Sequence, residues 1–346
     1  MKKKMLVLVS TVLLLTTLFL VGCASSQGEK SSGDNKESSS LVLYSGRKEP
    51  LIKPVLDAFE KDTGIKVTLR SGGASELANA IIEEQRSPGA DVFIANDAGT
   101  LEMLRQKGLL QPNDSAALNA VPGDLKAADG SWIGVSARSR VIMYNTNLVK
   151  ENELPRSIKD LTDPKWKKQV AMAASSNESV VGHITALRLT LGEGETEKLL
   201  RGLMANQVQS LKGHTEVRKA VGSGEFKLGI VNNYYYHLQK QEGSPVGVIY
   251  PDQGEGQMGV PVNVAGAAMV KGAKNSEAAR KFMDYLVRPE TQELFARLNF
   301  EIPVLAGIPT HEAKKLDEFK RTPVDLEQLG TELNNTINLL EKVGLP

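Results

Sequence analysis

LVLYSGRKEPLIKPVLDAFEKDTGIKVTL, residues 41–69, is the stretch on which the fold turns. Leu41-Val42-Leu43-Tyr44 is a short apolar run, a strand candidate, and Ser45-Gly46-Arg47 turns the chain. From Glu49 to Lys61 the apolar residues Ile52, Val55, Leu56 and Phe59 recur at helical spacing. Thr63-Gly64 stops that helix, and Ile65–Leu69 alternates as a second strand. This is a β-α-β unit, which predicts a parallel strand pair joined by a right-handed crossover.

The same alternation continues outward. A Gly-rich turn, Ser71-Gly72-Gly73, opens a helix over roughly Ser75–Gln85, and Asp91–Ile94 is a strand ending at Asn96-Asp97. Val141–Tyr144 is the next strand. Gln169–Met172 is another, leading through Ser175-Ser176-Asn177 into a helix with Val180, Ile184, Leu187 and Leu191 on one side. Lys227–Val231 and Asn263–Val270 are strands, Ser276 caps a helix over Glu277–Leu286, and Pro289 stands in the first turn of a further helix. Strands alternating with helices mean an α/β fold. A chain of 346 residues exceeds one average core, so two lobes are expected.

Composition narrows the function. The net charge is +1 with no basic stripe, which argues against a nucleic-acid partner. No GxSxG, HExxH or P-loop occurs, and no nucleophile stands with a base, so a binding protein is expected rather than an enzyme. The first residues are not part of the fold. Lys2, Lys3 and Lys4 precede an apolar run over Met5–Val21, the form of a secretory signal, and the run is short for a membrane span. The single cysteine follows in Leu20-Val21-Gly22-Cys23, which resembles a bacterial lipobox. That resemblance implies cleavage of residues 1–22 and lipid on Cys23. Cleavage removes three lysines and no acids, taking the net charge from +1 to −2. Residues 24–40, ASSQGEKSSGDNKESSS, carry no large apolar side chain and read, with Cys23, as a flexible tether over 23–40. Its coil length is roughly 23 Å, enough to hold a globular body just outside a membrane.

In open α/β sheets ligands bind beyond the carboxyl ends of the strands. Four polar clusters lie at such ends: Ser45–Glu49, Asn96-Asp97, Ser175–Glu178 and Asn232–His237. Their convergence from two lobes would make a cleft. The last cluster holds Tyr234, Tyr235 and Tyr236 in a row, three of the seven tyrosines in the chain. Ordinary packing is the common role of a tyrosine. Neighbouring side chains diverge on a strand or a helix, so adjacent tyrosines share a ligand only at a bend, and this site is a strand-to-helix bend. Phenolate oxygen suits a hard, highly charged cation such as Fe(III), whose charge displaces the phenolic proton.

These stretches resemble the ferric-iron-binding proteins of ABC importers, a transferrin-like branch of the two-lobed substrate-binding proteins. The resemblance runs through Leu43–Arg47, Thr63–Val67, Ala90–Phe93, Ala137–Val141, Asn232–Tyr235 and Val264–Ala267. It implies a type II periplasmic-binding-protein fold with hinge-linked lobes, 41–137 with 263–305 and 138–262 with 306–346. It makes Tyr234 and Tyr235 the phenolate ligands, with Tyr236 and His237 as wall residues. Some relatives add a His in the first turn and a Glu after the third strand; here Ser45-Gly46-Arg47-Lys48-Glu49 has no His, and Asn96 stands at the Glu position, followed by Asp97. Others place a third tyrosine where Glu178 lies. Glu178 and Asp97 are therefore the candidate carboxylates of the metal shell. A synergistic anion, carbonate or phosphate, is implied at Ser175, Ser176 and Asn177, where a helix start offers free N–H groups. Arg138, Asn232 and Asn96 are expected to face the cleft. Arg140 is a further possible charge, and Arg47 is open between cleft and surface. His214 lies where some relatives have an Asn near the anion, and as a lone His it reads as structural. The partners implied are an ABC permease with its ATPase subunit and the membrane through Cys23, with the protein monomeric on the extracellular or periplasmic side. The alternative within the same fold is an organic solute, such as a phosphonate, polyamine or thiamine, boxed by aromatic rings.

Overall fold

The computed structural model describes residues 40–346. The expected signal segment, Cys23 and residues 23–39 of the expected tether lie outside the described residues. Ser40, expected as the tether's last residue, instead opens the first strand and pairs with Lys66. No helix among the described residues is long and apolar enough to cross a membrane.

The opening unit is as the spacing predicts. Strand β1 (Ser40–Ser45) leads into α1 (Glu49–Thr63) and returns as β2 (Lys66–Ser71), parallel to β1. Gly64 ends α1 in the left-handed region at φ 73°, donating its N–H to the Glu60 carbonyl, a conformation open to glycine because it lacks Cβ. Ile52, Val55, Leu56 and Phe59 are the buried face of α1, and Phe59 packs edge-on against Phe282 and Tyr285 at 5.0 and 5.2 Å. Burial of such a side chain is worth about 1.5–3 kcal/mol.

Then follow α2 (Ala74–Glu83), β3 (Val92–Ala95), α3 (Ala98–Gln106), β4 (Leu110–Gln111) and the long β5 (Ile133–Asn145). The middle of the chain holds β6 (Val170–Ala173), α4 (Glu178–Leu191), α5 (Glu193–Ala205), β7 (Gln209–Leu211), α6 (His214–Ser223), β8 (Leu228–Asn232), α7 (Asn233–Gln241) and β9 (Val246–Ile249). It closes with β10 (Val262–Val270), α8 (Ser276–Leu286), α9 (Pro289–Asn299), α10 (Leu326–Thr331) and α11 (Leu333–Val343). Ser276 does not cap α8: Asn275 holds the cap position, its side chain tied to Asp91, and Ser276 is the first helical residue.

The strands run in the order β2-β1-β3-β10-β5-β8-β6-β7, with β4 beside β10 and β9 beside β5. Strand β5 joins the two halves. Its first part, Ile133–Ser139, pairs antiparallel with β10, and Arg140–Tyr144 pairs with β8. Side-chain alternation sends Val141 and Met143 into one core and Ile142 into another. A first core, around Phe59, Phe93, Trp132, Phe282 and Phe295, belongs to the β2–β10 half. The tail after residue 305 is shared: Phe319, Leu326 and Leu329 join that first core, whereas Leu339, Leu340, Val343 and Leu345 join the core under α4 and α5.

The contact of α10 with α3 depends on two small residues. A Cβ on Gly99 would meet the Leu329 carbonyl oxygen at 3.4 Å, and one on Gly330 would lie 2.6 Å from the Glu102 side chain. Glu102 has no freedom to move, since both its oxygens hold Arg105 at 2.7 Å and one also takes the Trp132 indole N–H. Gly330→Ala is expected to lower stability by about 1–3 kcal/mol, the usual cost of overpacking. Urea unfolding reads this directly, and an unchanged midpoint would show that α10 is not seated against α3.

Candidate functional site

Asn232 ends β8 in an extended conformation and α7 begins at the next residue, so the chain bends where the tyrosines start. Asn233 fixes the bend: its Oδ1 accepts from the Ser139 N–H at 3.0 Å and its Nδ2 donates to the Phe300 carbonyl at 3.4 Å. Tyr234 and Tyr235 are both buried, and their rings face each other at 4.4 Å between centroids with a tilt of 34°. Tyr236 and His237, expected as walls, leave the cavity. Tyr236 joins the core behind the sheet, and His237 stacks on Phe300 at 5.3 Å with its pKa pulled down to about 4 by burial.

The tyrosines line a cavity of about 250 Å³ that gathers residues from all four polar clusters. Gly46 and Lys48 come from the turn after β1, Asn96 from the end of β3, Asn177 and Glu178 from the start of α4, and Asn232, Tyr234 and Tyr235 from the bend. Arg138 of β5, Gly72-Gly73 and His214 complete it. Asn96 is held by the Gly46 carbonyl. Ser175 and Ser176 border a neighbouring cavity of about 330 Å³ together with Asp97, and Glu178 borders both.

Asp97, a candidate ligand, is occupied as the cap of α3: one oxygen accepts the Thr100 N–H at 2.9 Å and the other the Thr100 hydroxyl at 2.8 Å. It does not share the tyrosines' cavity, which sets it apart from the metal shell expected of it. Arg47 is neither cleft nor surface. It is buried in an ion pair with Glu301 and donates to Ser136 Oγ at 3.2 Å. Arg138 donates to the other Glu301 oxygen at 2.8 Å, with its guanidinium 5.8 Å from the Tyr234 ring centroid. Burial opposes ionisation of Glu301, but Arg47 and Arg138 outweigh it and hold the carboxyl below its ordinary range.

Arg140 differs. It is buried, faces both tyrosines, and pairs with no carboxylate among the described residues; its partners are His214 Nε2 at 3.1 Å and the Ser179 carbonyl. Burial pulls it down to about 10. The Ser179 hydroxyl spans Asn177 Oδ1 and His214 Nε2, each at 2.8 Å. Burial and the adjacent Arg140 hold His214 neutral, so Nε2 is an acceptor here. Sequence reading missed the importance of His214 and Lys48. The one signal was position: His214 follows Gly213 at a helix start, and Lys48 lies in a polar strand-end turn.

Burial pushes the Tyr235 phenol far above its usual pKa, and Tyr234 adds to this, while Arg138 and a hydrogen bond from Thr215 oppose it. The Tyr235 phenol so placed stays protonated until a cation arrives. Among the described residues no three His, Cys, Asp or Glu side chains converge. Asn177 caps α4 through Ser179 N–H at 3.1 Å, leaving the Glu178 carboxylate without a hydrogen bond or ion pair and turned toward Gly73.

The Asp97 carboxyl is raised to about 6, chiefly by burial and further by Glu178. Its unfolded value is about 3.9. The folded chain therefore holds a proton that the unfolded chain has lost, and this group subtracts stability as pH rises from about 4 to 6. Asp97→Asn keeps an oxygen for the Thr100 N–H and is expected to lose less stability than wild type between pH 4.5 and 7 in urea titrations. Parallel profiles would contradict it.

The chain has clear relatives among known proteins. Residues 87–325 match the family described as bacterial extracellular solute-binding protein. The chain is 35% identical to iron uptake protein A1 of Synechocystis sp., covering 94% of this chain and 92% of that protein. It is 28% identical to the major ferric iron-binding protein of Neisseria meningitidis, covering 88% and 93%. The structure of iron-bound HitA from Pseudomonas aeruginosa superposes with a TM-score of 0.82 at 32% identity, covering 88% of this chain and 99% of that one. A Trichodesmium protein in complex with iron and citrate gives 0.76 at 33% identity, covering 89% and 100%. The fold is that of the two-lobed periplasmic binding proteins, and the chain belongs to the bacterial extracellular solute-binding protein family.

Proposed function

We propose that this protein captures ferric iron outside the cytoplasm and delivers it to an ABC permease and its ATPase subunit, with Tyr234 and Tyr235 as phenolate ligands. The observation that carries this is the pair of buried, facing phenols beside a buried guanidinium, Arg140, that has no carboxylate partner among the described residues. The relatives named for iron uptake and ferric binding support it. No catalysis is assigned.

Glu178 is the proposed carboxylate ligand, direct or through water. Arg140 and Arg138 would hold an oxyanion such as carbonate or phosphate, whereas the expected donors at Ser175 and Asn177 are taken, their N–H groups bonding the Pro346 and Ala174 carbonyls at 3.0 and 2.9 Å; citrate accompanies iron in the Trichodesmium structure. Asn96 and Asn232 line the cleft without a charge to contribute. The proposed lobes are 41–137 with 263–305, and 138–262 with 306–346, the segment around Phe319–Leu329 bridging back to the first. An organic cation would need a gap between aromatic walls, and rings 4.4 Å apart leave none, so iron is preferred to a boxed organic solute.

Iron-loaded protein is expected to be coloured by phenolate-to-iron charge transfer. Tyr234→Phe or Tyr235→Phe should abolish most of the colour and weaken binding by more than the roughly 10–100-fold typical of losing a residue that only supports a ligand. Tyr236→Phe should change neither. Titration with ferric citrate while recording the visible spectrum decides it, and a colourless wild type would refute the reading.

We further propose that residues 1–22 are removed as a signal and that lipid on Cys23 anchors a monomer at the membrane through the tether. Cys23→Ala should release the protein from the membrane fraction of the cells that make it. Unchanged fractionation of that variant, with its signal cleaved, would exclude the anchor.

A further inference from the structure

Lys48 stands between α1 and the turn after β1, at the mouth of the tyrosine cavity. Its Nζ donates at 2.9 Å to Thr215 Oγ1, in the first turn of α6 on the opposite side of the cleft. The Thr215 hydroxyl in turn lies beside the Tyr235 phenol and favours its ionised form. Among the described residues this is the one hydrogen bond joining residues 41–132 to residues 141–262, apart from the strands and loops that connect the halves.

The charge arrangement explains why a cation there matters. The start of a helix carries a positive dipole end and unpaired N–H groups, which favour an anion and disfavour an ammonium. Gly213 supplies no side-chain cap to α6, and Glu216 is the acidic residue of its first turn. The other charged side chains lining the cavity are Arg138, neutralised by Glu301, and Glu178; Arg140, without a carboxylate partner among the described residues, borders an adjoining cavity and bonds His214 of this one. Lys48 therefore adds positive charge to a surplus already present; a ferric ion on two phenolates adds a further net positive charge, so it is the accompanying oxyanion that makes an ammonium at the mouth favourable. A hydroxyl accepting from an ammonium also has its own hydrogen directed away from it, here toward Tyr235.

We propose that Lys48 is the latch of the cleft: a positioning residue that joins the two sides through Thr215, turns that hydroxyl onto Tyr235, and slows the departure of bound ferric ion. It occupies the turn where a histidine is absent, and acts by charge and reach without coordinating. This inference rests on the phenolate reading above.

The test uses full-length protein loaded from ferric citrate and then mixed with an excess of a colourless iron chelator, timing the loss of the charge-transfer band. Lys48→Met keeps the length and removes the charge. It is expected to release iron about tenfold faster, the effect of losing one hydrogen bond to a charged group. The band maximum and the thermal unfolding of iron-free protein should stay as in wild type. Lys48→Arg should restore slow release. Release from Lys48→Met at the wild-type rate overturns the latch and leaves the tyrosine assignment standing. A shifted band in Lys48→Met also overturns it, since that would make Lys48 part of the coordination. A wild type that takes no colour from ferric citrate overturns the phenolate reading and the latch with it.

Discussion

Glu301 lies buried between two guanidiniums, Arg47 from the turn after β1 and Arg138 from β5, and Asn299 Nδ2 reaches it at 3.3 Å. Three charges out of water are tolerable only together. Removing one partner of such a group costs about 3–5 kcal/mol because the remaining charge is left uncompensated. The cluster therefore locks the β1 turn, strand β5 and the segment after α9 into one register beneath the cleft. It also decides the electrostatics above it. Arg138 and Arg140 are two residues apart on one strand and so share a face, yet only Arg138 is neutralised.

The excess charge on Arg140 gives the site its character. Without cargo the phenols are buried and pressed together, and burial outweighs the neighbours that would ionise Tyr235. In the function we propose, a hard trivalent ion would supply the missing drive by displacing phenolic protons, and the guanidinium and ammonium groups already in place would favour the phenolates and an accompanying anion. His214 belongs to this arrangement as a neutral acceptor for Arg140, which orients the guanidinium without cancelling its charge.

Much of this was legible along the chain. The Leu41–Leu69 unit reads directly as β-α-β because one face of each element is apolar at its own period. The four polar strand ends were recognisable as a cleft because strand termini in such sheets converge. The first half of β5 was not. Ser136, Arg138 and Ser139 look like a loop, and they are buried in a strand only because β10 and the Glu301 cluster satisfy them. Asp97 reads as a potential ligand from its place after a strand, and equally as a helix cap three residues before Thr100. The structure shows the cap.

The sequence by itself determined the α/β class, the parallel opening unit, the strand-to-helix bend at Asn232 and the pairing of Tyr234 with Tyr235, because each depends on residues close together in the chain. Tertiary structure decided which charges are free. Arg47, Arg138 and Arg140 are alike in sequence, and only the arrival of Glu301, some 160 to 250 residues further along, separates the neutralised pair from the buried charge it leaves uncompensated. The same holds for Lys48 and Thr215, whose meeting across the cleft follows from the folding of two halves on a shared strand and from nothing in either local stretch.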